Sequence, residues 1–114
     1  EDVLIVCNDG FKKMEVIDDG KALKCECGVI GSDANDLLKP YNRKIGPDPA
    51  TLATALVGGI LNNNSSGMCC GTAQNSYKTI RSIRVVLLDG SILDTSDQKS
   101  ISYNCVRIFW PMKN

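Results

Sequence analysis

Apolar and polar residues alternate with a period of two through "MEVIDDGKALKCEC", a pattern that predicts a β-hairpin. Asp19-Gly20 lies at its centre, and both residues tolerate the positive φ of a tight reversal. In the second arm Leu23, Cys25 and Cys27 alternate with Ala22, Lys24 and Glu26, so the thiols are expected on the apolar face, packed in a core. Upstream, "VLIVC" (residues 3–7) is rich in β-branched residues and stops at Asn8, Asp9 and Gly10, which predicts a buried strand. Past Gly31 the period lengthens. "SDANDLLKPY" predicts a short helix with Ser32 as N-cap, and "PATLATAL" a second with Pro49 or Ala50 in its first turn, ended by Gly58-Gly59. "YKTIRSIRVVLLDGSILDT" is apolar on both faces over residues 83–88 and carries a second Asp-Gly turn at Asp89-Gly90, so a central strand turns back into another. "CVRIFW" near the end has strand composition. The sum is an α+β domain, an antiparallel sheet flanked by short helices, with Ile5, Leu23, Cys25, Val85 and Leu87 expected in its core.

A chain of 114 residues allows about one domain with one modest core. Lys plus Arg and Asp plus Glu balance at 13 each, which excludes an overall field for nucleic acid or an anionic membrane. Any anion must be held locally. Arg81 and Arg84 are read as the solvated flank of a strand rather than phosphate ligands, and Trp110 as a core or interface anchor. The longest apolar run, "IRVVLLDG", is far too short for a membrane span. No secretion signal is legible at the start, so a cytoplasmic location with reduced thiols is expected for the 6 cysteines. Histidine is absent, which excludes a histidine general base within these residues, and neither "CEC" nor "CC" has the spacing of a zinc knuckle.

The segment "GGILNNNSSGMCCGTAQN", residues 58–75, fits neither period. Its glycines bring backbone N–H groups close to a ligand, and asparagine and serine add short donors, a chemistry that suits a diphosphate. By composition alone a long solvated turn is the favoured reading, and neither GxGxxG nor GxxxxGK[ST] occurs. Cys69-Cys70 is read as loop packing, because a bridge between adjacent cysteines strains the peptide between them.

"RKIGPDPATLATALVGGILNNNSSGMCCGTAQNSYKTIRSIRVVLLDGSILDT" resembles the FAD-binding domain of the vanillyl-alcohol oxidase and p-cresol methylhydroxylase type. It looks most like the bacterial D-lactate dehydrogenase and glycolate oxidase branch of FAD-linked oxidases. The upstream segment from Val3 is similar to the same family's approach to that motif. The resemblance covers residues 2–97, and its "GPDPA", "GGxxxNNSSG"-like and "DGxxLDT"-like elements are long and ordered. It implies the second of two flavin-gripping lobes, a partial FAD-binding domain over residues 1–99 followed by a tail, residues 100–114, without family likeness. It further implies FAD as cofactor, with Pro47, Asp48 and Pro49 beside the flavin and Gly58, Gly59, Asn63, Ser65, Ser66 and Gly67 facing the isoalloxazine-to-diphosphate stretch. Gly71 and Asn75 would hold the following turn. The family's other lobe would lie upstream and its substrate cap downstream, or on a partner chain, so no catalytic residue is assigned here. The implied reaction is oxidation of a 2-hydroxy acid such as D-lactate or glycolate. A non-catalytic binding module, or a subunit completed by a partner chain, is the alternative.

Overall fold

The computed structural model describes Asp2, Val3, Ile5 and residues 7–68, 72–96 and 107–111. Five strands form one sheet in the order β1-β2-β5-β3-β4, where β1 is Met14–Ile17, β2 Ala22–Glu26, β3 Ser82–Val86, β4 Ile92–Asp94 and β5 Arg107–Pro111. Every adjacent pair is antiparallel. The expected α+β class with an antiparallel sheet and short helices is what the chain forms. β5 runs between β2 and β3, pairing Leu23 with Trp110 and Ile83 with Ile108 along the backbone.

The first hairpin turns where Asp-Gly predicted it, but over a wider loop. Asp18, Asp19 and Gly20 all take positive φ, the Lys21 N–H donates to the Asp18 carbonyl, and Ile17 pairs with Ala22. In the second hairpin the Leu87 N–H donates to the Ser91 carbonyl at 2.8 Å, and Gly90 supplies the positive φ of 81°. Across that hairpin Arg84 faces Asp94, their side chains 2.7 Å apart. The hydroxyl and amide of Ser96, and then the Arg84 guanidinium, lower the Asp94 carboxyl to about 2. Arg81 is likewise paired, with Asp18.

Helices α1 (Gly31–Leu38) and α2 (Val57–Asn62) lie against β1 and β2 respectively. Between sheet and helices sits one core of Leu23, Cys25, Val29, Ala34, Leu38, Ile45, Val57, Ile60 and Leu61. Leu23 and Cys25 are thus buried as expected, and Val85 is half-buried. Leu87 and Ile5 are not, at 45% and 79% exposed. Leu87 belongs to the reversal rather than to β3, so no layer covers it. Val3, Ile5 and Cys7 have no strand pairing among the described residues, and the predicted N-terminal strand is not formed at these positions. Cys27 lies past the end of β2 and is half-buried rather than in the core.

The first turn of α1 explains two further differences. The N–H groups of Gly31 and Ser32 donate to the carbonyls of Ala55 and Leu52, so Ser32 lies inside the helix and does not cap it. Those carbonyls are thereby withdrawn from a helix of their own, and the "PATLATAL" segment forms turns instead. The helix begins later, and Gly58-Gly59 falls inside α2 rather than ending the one before it. A Cβ on Gly58 would stand 2.9 Å from Cys27 Cβ, so glycine is what lets α2 approach the end of β2.

Burial raises the Cys25 thiol from 9.0 to about 12, with the neighbouring Cys27 adding to the rise. In the unfolded chain the thiol ionises above 9.0, whereas the folded chain holds its proton to about 12, so this contribution to stability is present below 9.0 and is lost as pH rises through that window. Native-state alkylation at about pH 8 should modify exposed Cys7 on the order of 100-fold faster than Cys25. Equal rates by peptide mass mapping would place Cys25 at the surface.

Candidate functional site

The Asn-Gly-Ser segment and the Gly-Pro-Asp-Pro segment meet. The Asp48 N–H donates to the Ser66 carbonyl at 2.6 Å, and Asp48 and Gly67 form a parallel bridge. Gly67 has φ +103°, and a Cβ there would lie 1.8 Å from the Asp48 carbonyl oxygen. Pro47 is fully buried, while Asp48 and Pro49 are half-buried. The Asn35 carbonyl oxygen, Oδ1, accepts from the Ile45 N–H at 2.9 Å and ties this segment to α1. On its other side Gly46 abuts Thr79, whose methyl would be 2.6 Å from a Cβ at that glycine.

α3 (Ser76–Thr79) staples the arrangement. The buried Ser76 hydroxyl lies 3.1 Å from the Ile60 carbonyl and 3.0 Å from that of Ser65, and its N–H donates to Ser65 as well. Asn64, at φ 46°, accepts from the Tyr77 N–H at 3.0 Å. Asn75 accepts from the Lys78 N–H at 3.0 Å and caps α3, an observed use of its side chain in the turn.

The amides of the loop are not all free for a ligand. Asn63, Asn64 and Ser65 donate theirs back to the carbonyls of Gly59, Leu61 and Ile60. What faces outward is the bare backbone of exposed Gly59, where a Cβ would meet nothing within 4 Å, and the exposed side chain of Asn63. Ser65, Ser66 and Gly67 are half-buried, and Gly71, Cys69 and Cys70 lie outside the described residues, as do the side chain of Trp110 and the tail around β5.

Beside Gly58 opens an apolar cleft of about 470 Å³, within the range of small-molecule sites. Cys27, Leu61, Tyr77, Ile80, Ile83 and Val85 line it. Motif reading did not single out these residues for a site, because they come from α2, α3 and β3 and from just past the ends of β2 and α3, and converge only in the fold. The alternating face of Ile83 and Val85 was the one signal available in the sequence. Burial raises the Cys27 thiol despite the backbone N–H groups of Cys27 and Gly28, so it stands in the cleft as a neutral thiol at neutral pH. Among the described residues, no cluster of three acidic, histidine or cysteine side chains is placed to hold a metal.

Residues 1–96 match the FAD binding domain family, and the chain belongs to it. It is also similar to D-2-hydroxyglutarate dehydrogenase of Escherichia coli, 34% identical over 73 residues, which are 64% of this chain and 7% of that protein. The enzyme of the same name from Haemophilus influenzae is 30% identical over 79 residues, 69% of this chain and 8% of the relative. The chain therefore spans under a tenth of the length of the curated relatives it matches. FAD is the cofactor of the family; an apolar cleft lined by Gly58 and Asn62, with the open backbone of Gly59 next to it in α2, has the chemistry that fits an aromatic, phosphate-bearing group. Among the described residues no helix is long and apolar enough to cross a membrane.

Proposed function

We propose that this chain grips FAD within an FAD-linked oxidoreductase that oxidises a 2-hydroxy acid. D-lactate, glycolate and D-2-hydroxyglutarate are the substrates to test, the last because the relatives carry it in their name. When bound, FAD supplies the acceptor for the hydride. The residues of this chain bind and orient it. Gly58, Gly59, Asn63, Ser65, Ser66 and Gly67 form the contact surface, Pro47, Asp48 and Pro49 its neighbouring wall, and Gly71 and Asn75 the turn beyond. Residues 1–99 constitute this lobe, and the segment from 100 onward contributes β5. The other flavin-gripping lobe and the substrate cap are supplied by further polypeptide, in cis or from a partner chain. The free thiols of Cys7, Cys25 and Cys27 favour a cytoplasmic setting.

The observation that carries the reading is Gly59, a glycine that neither its packing nor its φ requires. In a helix it costs up to about 1 kcal/mol relative to alanine, so its small size serves something outside the described contacts. Gly59→Val should leave the melting temperature nearly unchanged while weakening FAD binding at least roughly 10-fold in calorimetric titration, because the branched side chain stands where the cofactor approaches. Undiminished FAD affinity in the folded variant would remove Gly59 from the site. The isolated chain is expected to bind FAD weakly, since it offers part of the contacts against nearly the whole entropy cost, and to show no turnover of a 2-hydroxy acid.

A further inference from the structure

At the C-terminal end of α1, Asn35, Lys39, Asn42, Arg43 and Lys44 line a second cleft of about 450 Å³. Asn42 takes φ 54° at the end of the 3-10 turn Lys39–Tyr41, and this reversal brings Arg43 back beside Lys39, with the Arg43 N–H donating to the Leu38 carbonyl. Three cations thus converge in a chain whose net charge is 0. Two have carboxylate neighbours: Lys39 pairs with Asp36, and Lys44 stands 3.7 Å from Asp48. Lys39 also complements the carbonyl end of α1. Arg43 has neither excuse. Arg43 is half-buried as a residue, and its guanidinium makes no hydrogen bond or ion pair among the described residues. A fork of parallel N–H donors that no protein acceptor occupies matches an oxyanion. Asn35 spends its Oδ1 on Ile45 and retains an amide NH₂ as a further donor.

From this convergence we propose an oxyanion site, centred on Arg43 and flanked by Lys39, Lys44 and Asn35, that takes a phosphate group. Two ammonium groups beside one guanidinium suit a dianion of several oxygens better than a single carboxylate. As a site for free phosphate it does not depend on the FAD reading; as a site for the cofactor's diphosphate it rests on that reading. Its phosphate comes either from a free phosphate or from the diphosphate of FAD itself, since Lys44 links the cleft to Asp48.

The test is side-chain NMR of the arginine Nε resonances in the full chain, titrated with inorganic phosphate and, separately, with chloride at matched ionic strength. A saturable shift of Arg43 with phosphate alone is expected. Arg43→Gln, followed through the Asn42 backbone amide, should weaken phosphate binding roughly 10-fold, and exposed Lys39→Gln should weaken it by a smaller factor. Matching shifts with chloride, or undiminished binding in both variants, would overturn the site. Displacement of phosphate by FAD but not by riboflavin identifies the cofactor's diphosphate as the source, and displacement by neither identifies free phosphate.

Discussion

Gly67→Val is expected to destabilise the chain by about 3 kcal/mol or more, and to abolish FAD binding with it. Two independent penalties add. A β-branched residue is strained at φ +103°, and its Cβ would occupy a point 1.8 Å from the Asp48 carbonyl oxygen, a backbone atom that cannot rotate aside. Relief requires the Asp48–Gly67 bridge to open, and with it the 2.6 Å bond from the Asp48 N–H to Ser66. The contrast with Gly59→Val is the informative part, because there φ is helical and the added side chain enters open space. Chemical denaturation and calorimetry on the two variants should separate them: one loses fold and ligand, the other ligand alone. A Gly67→Val chain as stable as the parent would show that the two segments do not meet as described.

Leu23→Ala should cost about 3 kcal/mol or more, a large share of the 5 to 15 kcal/mol that holds a typical domain together. Leu23 is fully buried in β2, with β1 on one side and β5 on the other, so the cavity left by removing Cγ and both Cδ atoms has little freedom to collapse. Leu88→Ala is the control. That side chain is fully exposed at the tip of the second hairpin, and its loss should change stability by no more than about 0.5 kcal/mol. Equal midpoints for the two variants in urea would mean that β2 is not the centre of the core.

These two leucines show how far a hydrophobic pattern reads. Both stand within a few residues of an Asp-Gly pair, yet one lies in a strand and the other in a reversal. Period-two alternation placed Leu23 and Cys25 in the core, although Ala22 and Glu26 on the other face of β2 are buried as well. It failed over residues 83–88, where the apolar run outlasts β3 and nothing in its composition marks the point at which strand becomes turn. The run at residues 3–7 has strand composition but no pairing at the described positions, and pairing is a property of neighbours.

The sequence by itself determined what is local: the α+β class, the two hairpins, the burial of Leu23 and Cys25, and, through its ordered motifs, membership of the FAD-binding family. Short-range sterics and side-chain periodicity carry that information along the chain. Only the tertiary structure decided which glycines the backbone itself requires. Gly58 and Gly67 admit close approach to Cys27 and Asp48, distant in sequence, whereas Gly59 faces open space. Tertiary structure likewise turned the amides of Gly31 and Ser32 toward Ala55 and Leu52, moved the second helix to Val57–Asn62, and assembled the apolar cleft from segments distant in sequence. Each of these depends on what a backbone group or a side chain meets across space, and a hydrogen bond or a clash between residues far apart leaves no mark in the composition of either segment.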